Sequence, residues 1–136
     1  MARKTSAFCL ILVMTIFITI NAQGLRSDYS RNNAFSNFIR NRLDIISLQE
    51  THWTSELETK IKSEWNGNVF FSNGTNNSRG VAILINSRLD YNVIPVISDN
   101  EGRVLNVTLD LDERTLNIVN IYAQQTDSDE ELSPQI

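Results

Sequence analysis

The 136-residue sequence contains one cysteine, Cys9, and one histidine, His52. A lone cysteine excludes an internal disulfide. A lone histidine excludes any site built on two, including the common zinc triads. A Ser-His-Asp triad would have to use His52, and no nucleophile-elbow motif accompanies it. Positive charge is also scarce: the formal net charge is -4. Binding nucleic acid by bulk charge alone is therefore not supported, although a metal ion can bridge acidic side chains to phosphate. Gly/Ser linkers, internal repeats and a long uninterrupted apolar run are missing as well.

What is present is ordinary globular composition, 41% hydrophobic and 21% charged, in a length that suits one domain. Arg3 and Lys4 precede an apolar run from Ala7 to Ile20, and Ala22 follows as a small residue. That layout fits an apolar leader over 1–14, or a secretory signal peptide ending at residue 22. The run is too short and too interrupted by threonine for a stable membrane span. Residues 15–21 also read as a buried strand, since a β-branched run here leads into a glycine turn.

Further on, Phe35, Phe38, Ile39 and Leu43 mark a helix over about 28–42. Asp44 to Gln49 reads as a strand that ends at Glu50. Ser55 and Glu58 have capping-box spacing, which predicts a second helix whose face is Leu57, Ile61 and Trp65, closed by Gly67. Val69–Ser72 and Val81–Ile85 read as strands, the latter central because it is almost wholly apolar. Pro95 demotes 91–97 to an edge or bulged strand. Val104–Leu111 alternates, and with Leu116–Tyr122 it predicts a hairpin. From Gln124 the chain is polar and acidic, which predicts a disordered tail over 124–136. The order of elements is that of a mixed α/β fold with helices against a sheet.

Glu50 closes an apolar strand, the place where α/β folds gather their sites. A carboxylate there can hold magnesium, which takes one or two carboxylates with water and phosphate. Taken alone, a solvated acid is the commoner explanation. Four motifs stand beside it in order: Asn21-Ala22-Gln23-Gly24-Leu25, Leu48-Gln49-Glu50-Thr51, Arg79-Gly80-Val81-Ala82-Ile83-Leu84 and Asn120-Ile121-Tyr122-Ala123. Together they resemble the front part of the endonuclease/exonuclease/phosphatase superfamily, in its LINE-type retrotransposon, AP-endonuclease-like branch. Asn32, Arg42, His52 and Trp53 sit where that branch has similar residues, and the likeness runs over residues 15–127.

The resemblance implies a metal-dependent phosphodiesterase of DNA endonuclease type, using Mg2+ or Mn2+. Glu50 would be the metal ligand, Tyr122 would contact the scissile phosphate and Asn21 would orient the metal site. Arg79 and His52 would touch the DNA backbone. Without the likeness, Tyr122 would pack at a strand end, Asn21 would cap a turn, and Arg79 and His52 would be solvated loop residues. Departures also matter: Gln23 stands where many members have an acid, and Gln124 where they have proline. The later G-D-x-N and S-D-H motifs have no counterpart here. The implied fold is a partial four-layer α/β sandwich of the DNase I-like type, a mixed β-sheet with flanking helices, its second half missing. Its expected domain is residues 15–123, with weak or no activity alone and bared apolar faces along 81–85 and 104–122.

The alternatives are a non-catalytic retrotransposon relic and a secreted module glycosylated at Asn73 or Asn76. Asn106 is a third sequon, but on a strand it is a poor acceptor. Localisation would be nuclear or cytoplasmic in the first case and extracellular in the second. Nothing in the sequence indicates an oligomeric state.

Overall fold

A computed structural model describes residues 14–111 and 114–123. The leader expected at 1–14, but for Met14, and the tail expected at 124–136 lie outside these residues. The apolar run before the first motif forms strand β1 (Phe17–Asn21), paired in parallel with β2 (Ile45–Gln49), but it is not the buried strand expected: it ends the sheet among the described residues, and its side chains are exposed or half-buried. Cleavage after Ala22 would remove β1. Between them runs helix α1 (Asp28–Arg40), whose N-terminus is capped by Ser27: its hydroxyl accepts from the Ser30 N–H at 3.0 Å.

After β2 come a single 3-10 turn (Ser55–Leu57) and helix α2 (Glu58–Glu64). The expected capping box does not form. Thr54 precedes the 3-10 turn without a side-chain cap, and Glu58 instead accepts a hydrogen bond from Asn73 Nδ2 at 2.7 Å. Gly67 does not close the helix either; it opens strand β3 (Gly67–Ser72). Its φ is +148°, and an added Cβ would lie 1.9 Å from the Ile85 carbonyl oxygen, so close backbone approach explains this glycine.

Strand β4 (Val81–Asn86) is antiparallel to both β2 and β3, which gives a mixed sheet in the order β1-β2-β4-β3. A second, antiparallel sheet holds β5 (Asn92–Ser98), β6 (Val104–Leu111) and β7 (Arg114–Ile121) in chain order. β5 is an edge strand whose register shifts between Val93 and Val96, as Pro95 foretells. β6 and β7 pair along their whole length, as the alternating pattern predicts.

Two apolar layers result. Phe35, Phe38, Trp53, Ile61 and Trp65 pack with Ile46, Leu48 and Leu84 under the helices. Ile45, Val81, Ile83 and Ile85 meet Leu105, Val107, Leu109 and Ile118 between the sheets. The expectation of a bare face along 81–85 therefore fails: all six residues of β4 are buried, because residues 92–121 supply a second sheet that covers them. Apolar exposure along 104–122 is confined to the outward side of β7, at Val119 and Ile121. No helix among the described residues is long and apolar enough to cross a membrane.

Candidate functional site

The ends of β1 and β2 and the start of β4 lie side by side. Beyond Asn21 the parallel pairing continues into the loops: Ala22 N–H donates to Gln49 O at 2.8 Å, Gly24 to Glu50 O at 2.8 Å and Leu25 to Thr51 O at 3.0 Å. From the other side, Thr51 and His52 donate to Gly80 O and Arg79 O, both at 3.0 Å. Trp53, fully buried, donates its indole N–H to Leu25 O at 2.9 Å and anchors this junction from below.

Four non-glycine residues in these loops hold left-handed backbone: Gln23 (φ 53°), Glu50 (53°), His52 (60°) and Arg79 (63°). Each costs about 1–2 kcal/mol relative to a right-handed conformation. Such strain persists only where surrounding bonds impose it, and it collects at functional sites. Here it turns Glu50 out of its strand and brings the loops of three strands together.

An open groove of about 510 Å³ runs beside this junction, between β1 and β7, the end strands of the two sheets among the described residues. Thr19, Asn21, Ser47, Gln49, Asn120 and Tyr122 are its polar lining, with Phe17, Val119 and Ile121 as apolar walls. Asn21 Oδ1 accepts from the Gln23 N–H at 3.1 Å, so this side chain braces its own turn while it faces the groove. The Tyr122 phenol is pushed above its ordinary value, first by burial and then by a hydrogen bond to, and the charge of, the Glu50 carboxylate. Glu50 directly follows Gln49, which lines the groove, and is not itself among the lining residues.

His52 and Arg79 are neighbours of the groove and do not line it. The His52 ring lies against the Asn21–Leu25 turn: a Cβ on Gly24 would come within 2.9 Å of its Nδ1. The Arg79 side chain makes no hydrogen bond or ion pair among the described residues. The structure thus places Asn21 and Tyr122 on one groove, Glu50 directly after its Gln49, and His52 and Arg79 in the adjoining loops.

Four further polar groove residues, Thr19, Ser47, Gln49 and Asn120, carried no assigned role in the sequence. Gln49 Nε2 donates to Asn120 Oδ1 at 2.7 Å and Thr19 Oγ1 at 2.9 Å, and Ser47 Oγ is buried without a partner. Parity was the signal. Ser47 alternates with Ile45, and Asn120 with Ile118, so both are polar residues on core-facing positions.

Among the described residues no three of His, Cys, Asp and Glu come together as a metal cluster. The donor set at the groove is one carboxylate with amide and phenolic oxygens. Such hard oxygen donors fit a partly hydrated divalent cation such as magnesium, which needs few protein ligands.

Two antiparallel-to-mixed sheets face to face, with helices on the outer face of the first, define a mixed α/β sandwich whose candidate site lies at strand ends. The model of the Endonuclease/Exonuclease/phosphatase family matches residues 18–132, and the chain belongs to that family. The "Transposon TX1 uncharacterized 149 kDa protein" of Xenopus laevis is 34% identical over 108 residues, which are 79% of this chain and 8% of that protein. This relative agrees with the retrotransposon branch named from the motifs. The AP endonuclease LMAP from Leishmania major superposes with a TM-score of 0.64 at 22% identity, over 85% of this chain and 42% of that one. TDP2 from C. elegans does so with 0.56 at 22% identity, over 84% and 37%. The fold is therefore of the DNase I-like kind, and the chain spans under half the length of the solved structures it matches.

Proposed function

We propose that this chain carries the metal- and phosphate-contacting part of a phosphodiester-cleaving centre that acts on DNA. The observation that supports it most is the groove at the strained strand ends, lined by Asn21, by Tyr122 and by Gln49, the residue before Glu50. Family membership and the transposon relative support the reaction class.

Glu50 would hold Mg2+ or, alternatively, Mn2+, with water completing its shell. When bound, such an ion neutralises charge that develops on the phosphate oxygens. The chain's own contributions are distinct from that. Tyr122, kept protonated by burial and by Glu50, would turn its single O–H from that carboxylate to a phosphate oxygen. Asn21 fixes the turn that carries Gln23 and Gly24 past the Glu50 backbone. Arg79 and His52 flank the path of the DNA backbone, Arg79 as a cationic phosphate contact. Neutral Gln23 leaves the rim with less negative charge than an acid there would.

Water activation is the weak step. The resemblance assigns it to an Asp–His pair, and His52, the only histidine, is occupied against the Gly24 turn. Lacking a general base costs about two to four orders of magnitude. The proposed activity is accordingly slow cleavage that depends on Glu50, tested by magnesium-dependent plasmid nicking with Glu50→Gln and Tyr122→Phe as controls.

A further inference from the structure

We infer that Asn120 is the positioning residue that sets the Tyr122 end of β7 beside the Glu50 end of β2. This rests on the reading of that pair given above and concerns how the pair is assembled from two different sheets.

Asn120 is 2% exposed, in a layer whose buried apolar residues are isoleucine, valine and leucine. Its amide is used on both sides. Nδ2 donates to Leu48 O and Ala82 O, each at 2.9 Å, and Oδ1 accepts from Gln49 Nε2 at 2.7 Å. All three bonds run from β7 in the second sheet to β2 and β4 in the first. Leu48 and Gln49 are the two residues before Glu50, and Asn120 is two residues before Tyr122. Residues two apart on a strand share a face. The bonds to Leu48 and Gln49 therefore act within two residues of both Glu50 and Tyr122, and the bond to Ala82 ties β7 to β4 as well.

Apolar contact between sheets is non-directional and lets one sheet shift over the other. Hydrogen bonds of defined length do not. Gln49 also donates to Thr19 Oγ1, which ties in β1 just before Asn21. The other polar links, Ser72 with Asp99 and Gly102, Gly80 with Gly102 and Asn68 with Tyr91, lie at β3, the start of β4, the 99–102 turn and the approach to β5 and do not touch β7. A leucine at 120 would fill similar space, yet it would leave the register of β7 on β2 unspecified.

The test is NMR on the isotopically labelled chain, comparing Asn120→Leu with Ile118→Ala. The latter weakens the same strand and the same layer without removing a cross-sheet hydrogen bond. The expected result is that nuclear Overhauser contacts between the Tyr122 ring and the Glu50 side chain fall at least several-fold in Asn120→Leu and persist in Ile118→Ala, with α1 and α2 resonances unchanged in both. Added Mn2+ should broaden resonances around Glu50 in every form, and the Tyr122 ring only where those contacts persist. Retained contacts in Asn120→Leu, or equal loss in the two variants, would overturn the inference. Should Asn120→Leu not fold, Gln49→Leu removes the half-exposed member of the same set and carries the same comparison. Absence of Mn2+ broadening near Glu50 in the native chain would refute the metal reading instead, while the ring contacts still decide the role of Asn120.

Discussion

Replacing Glu64 by glutamine should expose how the loop that carries Asn21 is held. Arg31 on α1 is fully buried, and its guanidinium meets Glu64 on α2 through Nε at 2.7 Å and a second nitrogen at 3.2 Å. The same guanidinium donates to the carbonyls of Leu25 and Arg26, where the Asn21–Leu25 turn ends, and to Asp28 at 2.6 Å. Glu64→Gln leaves a buried cation with one charged partner, Asp28, whose side chain is 60% exposed and well screened. Breaking a buried pair costs about 3–5 kcal/mol, and the surviving partners put this case near 3 kcal/mol. For a domain of this size that lowers Tm by roughly 10 °C. Urea unfolding followed by the fluorescence of Trp53 and Trp65, both buried, reads it directly. Amide exchange across 22–26 should quicken in parallel. Replacing both partners by apolar residues should recover most of the loss. A Glu64→Gln variant within about 0.5 kcal/mol of native, the range of ordinary surface changes, would refute this account of Arg31.

Asp99 and Asp28 should govern the acid limb of stability. At Asp99 burial raises the carboxyl, but the Ser72 hydroxyl and the Glu101 and Arg103 N–H groups outweigh it and hold it below its ordinary value. Asp28 is lowered chiefly by Lys60. A depressed folded pKa gives stabilisation that is complete above the unfolded value of 3.8 and lost as pH falls through the folded one. Asp99→Asn should therefore reduce the steepness of acid unfolding below about pH 4, as followed by circular dichroism. In a secretory host, sugar should appear on Asn76, which is exposed, and not on Asn73, whose amide is half-buried and bonded to Glu58. Peptide mass mapping checks this, and occupancy of Asn73 alone would contradict the loop geometry.

The strands were legible because their patterns are strong. Apolar β4 reads as central and is buried throughout; Pro95 marks a bulged edge; β6 and β7 alternate cleanly. The misread points share one cause: local spacing gives way to tertiary contact. Ser55 and Glu58 have the spacing of a capping box, but Glu58 is drawn to Asn73. Gly67 resembles a helix stop because the residue type is the same, while its actual reason is the Ile85 carbonyl from a distant strand. At the site, Asn21 and Tyr122, named through their motifs, line one groove, and Glu50 follows its Gln49. The buried amides were not, since Gln49 and Asn120 are 71 residues apart and only the facing of two sheets makes them partners. Nor does spacing reveal that Arg79 and His52 are joined to the site through backbone bonds, outside the groove itself.

The most direct measurement is magnesium-dependent nicking of supercoiled plasmid by the purified, folded chain, with Glu50→Gln prepared in parallel. The account predicts slow nicking by the native chain that EDTA abolishes and that Glu50→Gln lacks, with Tyr122→Phe reduced. Equal nicking by both proteins, or no nicking by a native chain shown to be folded, would contradict a metal- and phosphate-contacting role for this site.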